Sequence, residues 1–183
     1  KTDALLEGHF VLSSGLHSSK YVQCAKLLSF PSLAKKICIS LSKKIKKSHK
    51  KIDLILSPAI GGIIIGYEIG KLLNKETIFC ERVNKKFILR RGFNIKKNSN
   101  VLIVEDVITT GKSSLECAQL VKKSKAKTIG FACIIDRSNS KTLKIKKKII
   151  SQLKIKISTY NKKKLPSFLK NIPISKPGSR FIK

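Results

Sequence analysis

Behind Pro31, apolar residues recur every fourth position at Leu33, Ile37, Leu41 and Ile45, a rhythm that predicts one buried face of an amphipathic helix over 33–47. Elsewhere the apolar residues come in short unbroken runs. Residues 52–56, 77–80, 101–104 and 128–135 read as core strands, and 101–104 has the continuous apolarity of a parallel strand covered on both faces. Helical segments over 63–73 and 112–123 fall between them, so strands and helices alternate and predict an α/β fold with a mostly parallel sheet. Ahead of this, 10–13 and 20–23 flank Ser14-Gly15 and suggest a small hairpin. The stretch 83–98 is polar and basic without a period, and fits a long flexible loop or a ribbon. Residues 138–148 are mainly lysine and isoleucine, and 149–160 suits either a helix or an edge strand. With no internal repeat and no linker, a single domain over 1–183 is expected.

Composition narrows the class. A chain of 183 residues buries about 70% of its unfolded surface, enough for a core without covalent staples. Cys24, Cys38, Cys80, Cys117 and Cys133 show no CxxC spacing and sit mostly in apolar segments, as small core residues of a reducing cytoplasm do. No run of 18 apolar residues and no charged-then-apolar leader is present, so a cytoplasmic protein without membrane contact is expected. The lack of methionine suggests that a few amino-terminal residues are missing.

A formal charge of +30 would ordinarily point to nucleic acid. The lysines are scattered along the whole chain, however, and are not interleaved with stacking aromatics. Arginine, the better residue for bidentate phosphate and base contacts, is rare: Arg82, Arg90, Arg91, Arg137 and Arg180. No specific nucleic-acid partner is expected, although the field should speed capture of anionic small molecules. His9, His17 and His49 have no metal-ligand spacing.

Chemistry concentrates in Val101-Leu-Ile-Val-Glu-Asp-Val-Ile-Thr-Thr-Gly-Lys-Ser113. A buried strand delivers Glu105 and Asp106 at its carboxyl end, where open α/β sheets bind ligands, and Thr109 to Ser113 open a helix with backbone N–H groups and hydroxyls suited to an anion. Gly111, Lys112 and Ser113 reproduce the end of a nucleoside-triphosphate P-loop, but that pattern needs glycine where this chain has Asp106. Two carboxylates would repel a triphosphate, whereas they accept hydrogen bonds well from the hydroxyls of a ribose. The plain alternative is a strand followed by an acidic helix cap.

This string closely resembles the phosphoribosyl diphosphate (PRPP) signature of type I phosphoribosyltransferases. The segment Gly8 to Tyr21 resembles the amino-terminal hood motif of the orotate phosphoribosyltransferases, and Ser57-Pro-Ala-Ile-Gly-Gly62 resembles their diphosphate turn. Further matches are Glu81-Arg82 through Arg90-Arg91-Gly92-Phe93, Ile135-Asp136-Arg137, and Ile172 to Arg180. They follow the family order over nearly the entire chain.

The resemblance implies the type I phosphoribosyltransferase fold, with a hood over about 1–30 and a mobile catalytic loop. It implies transfer of a phosphoribosyl group from PRPP to orotate, giving orotidine 5′-monophosphate and diphosphate in pyrimidine (UMP) biosynthesis. Glu105 and Asp106 would bind the ribose hydroxyls directly or through Mg²⁺ and its waters, with Mg²⁺ as cofactor held mainly by PRPP rather than by protein ligands. Val107, Ile108, Thr109, Thr110, Gly111, Lys112 and Ser113 would hold the 5-phosphate, and Gly61 would let the backbone approach the diphosphate. Arg82 and Lys86 match the arginine and lysine that reach the diphosphate. The lysine is a catalytic lid residue that serves the neighbouring subunit of a homodimer, and Lys85 competes for that role. Arg137 and Thr109 would select orotate, with Tyr21 and Ser13 or Ser14 covering its ring. A short amino-terminal helix is usual in the family, and residues 1–6 would be its tail. Two rivals stay open: a purine-type phosphoribosyltransferase, and a PRPP-sensing regulator that binds nucleic acid without catalysis.

Overall fold

A computed structural model of the chain describes residues 2–12, 15–139 and 143–175. Ser13 and Ser14 of the hood motif and residues 176–180 of the closing motif lie outside them. In chain order the elements are β1 (Leu5–Val11), β2 (His17–Val22), α1 (Cys24–Leu28), α2 (Pro31–Ser48), β3 (Leu54–Pro58), α3 (Gly61–Leu73), β4 (Glu76–Val83), β5 (Lys86–Leu89), β6 (Asn100–Ile108), α4 (Lys112–Lys123), β7 (Lys127–Asp136), β8 (Ile149–Lys154), β9 (Thr159–Tyr160), α5 (Ser167–Lys170) and β10 (Ile174–Ser175). The chain divides into two compact units, 30–155 and 1–29 with 156–183.

The larger unit is built on a six-stranded sheet in the order β5-β4-β3-β6-β7-β8. All pairings are parallel except the β4–β5 hairpin. Leu54 and Leu56, Val101 and Ile103, and Phe131 and Cys133 belong to one buried cluster with Cys117 and Val121 of α4. Ile55, Leu102 and Ala132 alternate with them and so point to the opposite face, where α3 packs against β3, β4 and β6. Helix α2 packs against α3, β7 and β8 with Leu41 and Ile45 of the four-residue rhythm fully buried, while Leu33 and Ile37 are half-buried and Ala34 and Cys38 take the inner positions of the first turns. Both sheet faces are thus covered, which explains the continuous apolarity of the central strands.

The smaller unit is a four-stranded sheet, β10-β1-β2-β9. Residues 5 and 6 belong to β1 rather than to the tail of a helix, because Leu5 and Leu6 pair with Val22 and Tyr21 across the hairpin. Its carboxyl-terminal strand β10 lies parallel to β1. His9 and His17 are buried here, with His9 Nε2 and His17 Nδ1 2.7 Å apart and His9 Nδ1 3.1 Å from the Ile172 carbonyl. That carbonyl can only accept, so His9 donates from Nδ1, and one proton is shared between His9 Nε2 and His17 Nδ1. Burial and the neighbouring positive charges of His9 and Lys162 lower the His17 pKa.

Three further boundaries depart from the apolar runs. Strand β6 continues through Glu105 and Asp106 to Ile108, because β7 offers partners as far as Asp136. The 83–98 stretch takes the ribbon alternative in its first half, where β5 pairs back on β4 with only Phe87 buried. Of 149–160, the first half is the edge strand β8.

Candidate active site

The strand order reverses direction between β3 and β6. From β3 the chain proceeds through α3 to β4 on one side, and from β6 through α4 to β7 on the other. The helices depart to opposite faces there, opening a crevice at the carboxyl ends of the two strands, the place where open α/β sheets bind ligands. Two loops meet at it: the turn after β3, with its cis Ala59–Ile60 peptide, and the bend after β6.

Their contact is close. A Cβ atom at Gly61 would lie 2.7 Å from Asp106 Oδ2, and one at Gly62 would lie 3.2 Å from the Val104 carbonyl oxygen. Only glycine lets the turn lie against the carboxylate without displacing it. Asp106 is further oriented by the Val107 amide, which donates to Oδ1 at 2.9 Å. Burial raises its pKa, opposed by backbone hydrogen bonds.

Glu105 points the other way along the strand and is 7% exposed. Ser114 Oγ donates to its Oε1. Burial pushes the Glu105 carboxyl up to about 7 against the Ser114 bond, and the negative charges of Asp106 and Glu116 add to the rise. Ser114 was not among the candidates from sequence. The available signal is its place on the buried stripe of α4 with Cys117 and Val121, a hydroxyl at the helical spacing of an apolar face.

The bend itself is formed as expected. Gly111 is the residue before α4 and takes the left-handed conformation at φ 73°, where a Cβ would also strike Ile145 at 2.7 Å. Thr109 and Thr110 are exposed, and Thr110 Oγ1 accepts from the Lys112 amide at 3.3 Å. Exposed hydroxyls thus stand at the start of a twelve-residue helix, where first-turn N–H groups lack intrahelical acceptors.

Arg137 follows β7, and its amide donates to the Ile108 carbonyl at 2.8 Å, which brings it beside the end of β6. Asp136 is buried, accepts from the Ser138 amide at 2.8 Å and pairs with Lys154 at 3.6 Å.

The two candidates on the ribbon are placed differently. Lys85 and Lys86 line a groove of about 780 Å³ between β5 and the outer face of α4, with Lys112, Lys123 and Lys144 on its rim and Phe87 and Leu115 in its wall. The described residues lining it come from the ribbon, α4 and Lys144, and not from the crevice at 105–110. Arg82 is engaged by α4: its Nη2 donates to Glu116 at 2.7 Å, its Nη1 donates to the Lys85 carbonyl at 2.6 Å, and the guanidinium lies 4.0 Å from the Phe87 ring centre. Glu81 pairs with Arg91 at 2.6 Å and with Arg90 at 3.4 Å. Among the described residues no group of three or more His, Cys, Asp or Glu side chains is placed to hold a metal ion. No helix among them is long and apolar enough to cross a membrane.

The fold agrees with known proteins. Residues 31–166 match the phosphoribosyl transferase domain. An orotate phosphoribosyltransferase of Aeropyrum pernix superposes with a TM-score of 0.65 at 21% identity, over 83% of this chain and 88% of its own. An adenine phosphoribosyltransferase of Thermoanaerobacter pseudethanolicus gives 0.61 at 19%, over 74% and 88%, so at this distance the likeness speaks for the fold alone. Sequence is more selective. Orotate phosphoribosyltransferases of Parvibaculum lavamentivorans and Caldicellulosiruptor saccharolyticus are 45% and 46% identical, each over 100% of this chain and 94% of the relative. With that identity along its whole length and the crevice at the β3–β6 switch point, the chain belongs to the orotate phosphoribosyltransferase family of enzymes.

Proposed function

We propose that this chain transfers the 5-phosphoribosyl group of PRPP to orotate at the β3–β6 crevice, giving orotidine 5′-monophosphate and diphosphate. The observation that carries the reading is the contact of the Gly61 turn with the Asp106 carboxylate. It sets a cradle for a diphosphate beside acceptors for ribose hydroxyls, at the start of a helix that can take a 5-phosphate. In the reaction the bond from C1 of the ribose to the diphosphate oxygen breaks and a bond from C1 to the orotate ring nitrogen forms, with positive charge developing on the sugar.

Each group then has a task. Asp106 and Glu105 accept hydrogen bonds from the ribose hydroxyls and face the developing charge. Residues 107–113 hold the 5-phosphate through N–H groups, hydroxyls and the helix dipole. Gly61 admits the diphosphate, Thr109 and Arg137 orient orotate, and the guanidinium of Arg137 suits a carboxylate that purine bases lack. The two hard carboxylates fit Mg²⁺ held chiefly by PRPP and water, and when bound the ion neutralises the leaving diphosphate.

Arg82 and Lys86 serve the diphosphate, Lys86 that of a neighbouring subunit. The exposed apolar stripe Ile60, Ile64 and Tyr67 along one side of α3 suits a homodimer contact and supports an assignment in trans. The setting proposed is a cytoplasmic homodimer of single-domain subunits.

The test is the ultraviolet absorbance of orotate in the presence of purified chain, PRPP and MgCl₂. Its decay should stop when PRPP or Mg²⁺ is left out, and replacing Arg137 with Ala should raise the KM for orotate more than that for PRPP. A steady absorbance with all components present overturns the reading.

A further inference from the structure

We infer that Glu116 is a positioning residue for Arg82, holding its guanidinium on the β4–β5 ribbon in register with the phosphate bend of the same subunit. The inference rests on the proposed role of Arg82 toward the diphosphate. Among the described residues, Arg82–Glu116 is the one ion pair that ties the ribbon to the body of the larger unit; the other ribbon pairs, Glu81 with Arg90 and Arg91, stay within 81–91.

Its geometry fixes an orientation. The guanidinium is gripped on one edge by Glu116, at a second nitrogen by the Lys85 carbonyl, and on its face by Phe87, which sits opposite Arg82 in the β4–β5 register. Phe87 is buried and anchors the stack. Two of the five guanidinium N–H groups are engaged, and the remaining three keep a fixed direction for an anion. The Arg82 and Glu116 side chains are 35% and 23% exposed, so the pair is partly shielded and is worth more than a freely solvated one.

Helix α4 supplies the ruler. Glu116 lies on α4 five positions beyond Gly111, about 7.5 Å along the axis at 1.5 Å per residue. One rigid element therefore bears both the bend that takes the 5-phosphate and the carboxylate that aims the diphosphate cation. Loss of the Glu116 charge frees the Arg82 side chain without altering the bend, so the effect should fall on the diphosphate end of PRPP and spare orotate.

Steady-state kinetics of E116Q, R82A and the double variant test this, in the forward direction and in the reverse direction with diphosphate. E116Q preserves the side-chain shape and should melt like the parent. The KM for PRPP and for diphosphate should rise about tenfold, as expected for loss of one charge-assisted hydrogen bond, while the KM for orotate and orotidine 5′-monophosphate stays within about twofold. The double variant should be no worse than R82A. Parent-like diphosphate kinetics in E116Q beside an impaired R82A would remove Glu116 from the positioning role and leave that of Arg82 standing. Parent-like kinetics in R82A would remove both. Equal rises in all four KM values with a lowered melting temperature, or additive losses in the double variant, would reduce Glu116 to a stability contact.

Discussion

The β3–β6 crevice and the β4–β5 ribbon are both charged, yet they are made in opposite ways. In the crevice the acids are buried on a central strand, and each is set by short-range partners: Glu105 by Ser114, Asp106 by the Val107 amide and the Gly61 turn. On the ribbon Lys85 and Lys86 stand exposed at the tip of an edge hairpin, and the arginines are held by partly exposed ion pairs, with Arg82 also stacked on Phe87. A preorganised site acts through groups that need not move, whereas partly exposed ion pairs on an edge hairpin hold more weakly.

This contrast can be broken most sharply at Asp106. Replacing it with Asn keeps the shape but removes the acceptor charge. kcat/KM should fall on the order of 10²–10³-fold, the scale for one preorganised electrostatic group, while the melting temperature holds or rises because a buried charge is gone. A melting temperature that drops with the rate would make Asp106 a structural residue.

Glu105 gives the next effect, on stability. Its folded pKa, about 7, lies above its ordinary value of 4.5, so the folded chain holds a proton that the unfolded chain releases in that interval. The associated stability is complete below pH 4.5 and is lost as pH rises through about 7, on the order of 3 kcal/mol in all. Melting curves from pH 4.5 to 8 should show this slope in the parent and a flatter one in Glu105→Gln. Identical slopes would place the titration elsewhere.

Gly61→Ala sharpens the comparison more gently. The added methyl must displace the Asp106 carboxylate or the turn, and PRPP affinity should weaken about tenfold, roughly 1.4 kcal/mol, with orotate affinity little changed. Calorimetric titration of PRPP reads this directly, and parent-like affinity would show that the turn yields freely. The smallest effect on the fold belongs to the ribbon. Lys86→Ala should change unfolding free energy by less than about 0.5 kcal/mol in denaturant titrations, as exposed positions do, yet lower kcat more than it alters the KM for PRPP. An unchanged kcat would exclude Lys86 from the reaction.

Much of the crevice was legible in the chain because its parts are local. The apolar run 101–104, the acids after it and the glycine before α4 occupy one continuous segment, and α4 spans the helical segment expected between two strands, Lys112–Lys123. What escaped depends on distant partners. Strand β6 runs four residues past its apolar stretch because β7 pairs with it, and β1 takes residues 5 and 6 because β2 does. The ribbon has only four residues in β5 and buries only Phe87 there, too short an alternation to set it apart from a loop. Glu116 is 34 residues from Arg82, and nothing near it in sequence marks it as a partner. The parallel strand β10 closes the smaller sheet from the far end of the chain, which no local pattern could reveal.

All five cysteines are buried and none forms a disulfide, and Cys80 and Cys117 lie with their sulfurs 3.3 Å apart between β4 and α4. Thiol reagents therefore have no target on the closed protein, and each alkylation must wait for a local opening. Labelling rates resolved by mass spectrometry would turn the chain into its own strain gauge, with Cys80 and Cys117 timing the parting of β4 from α4.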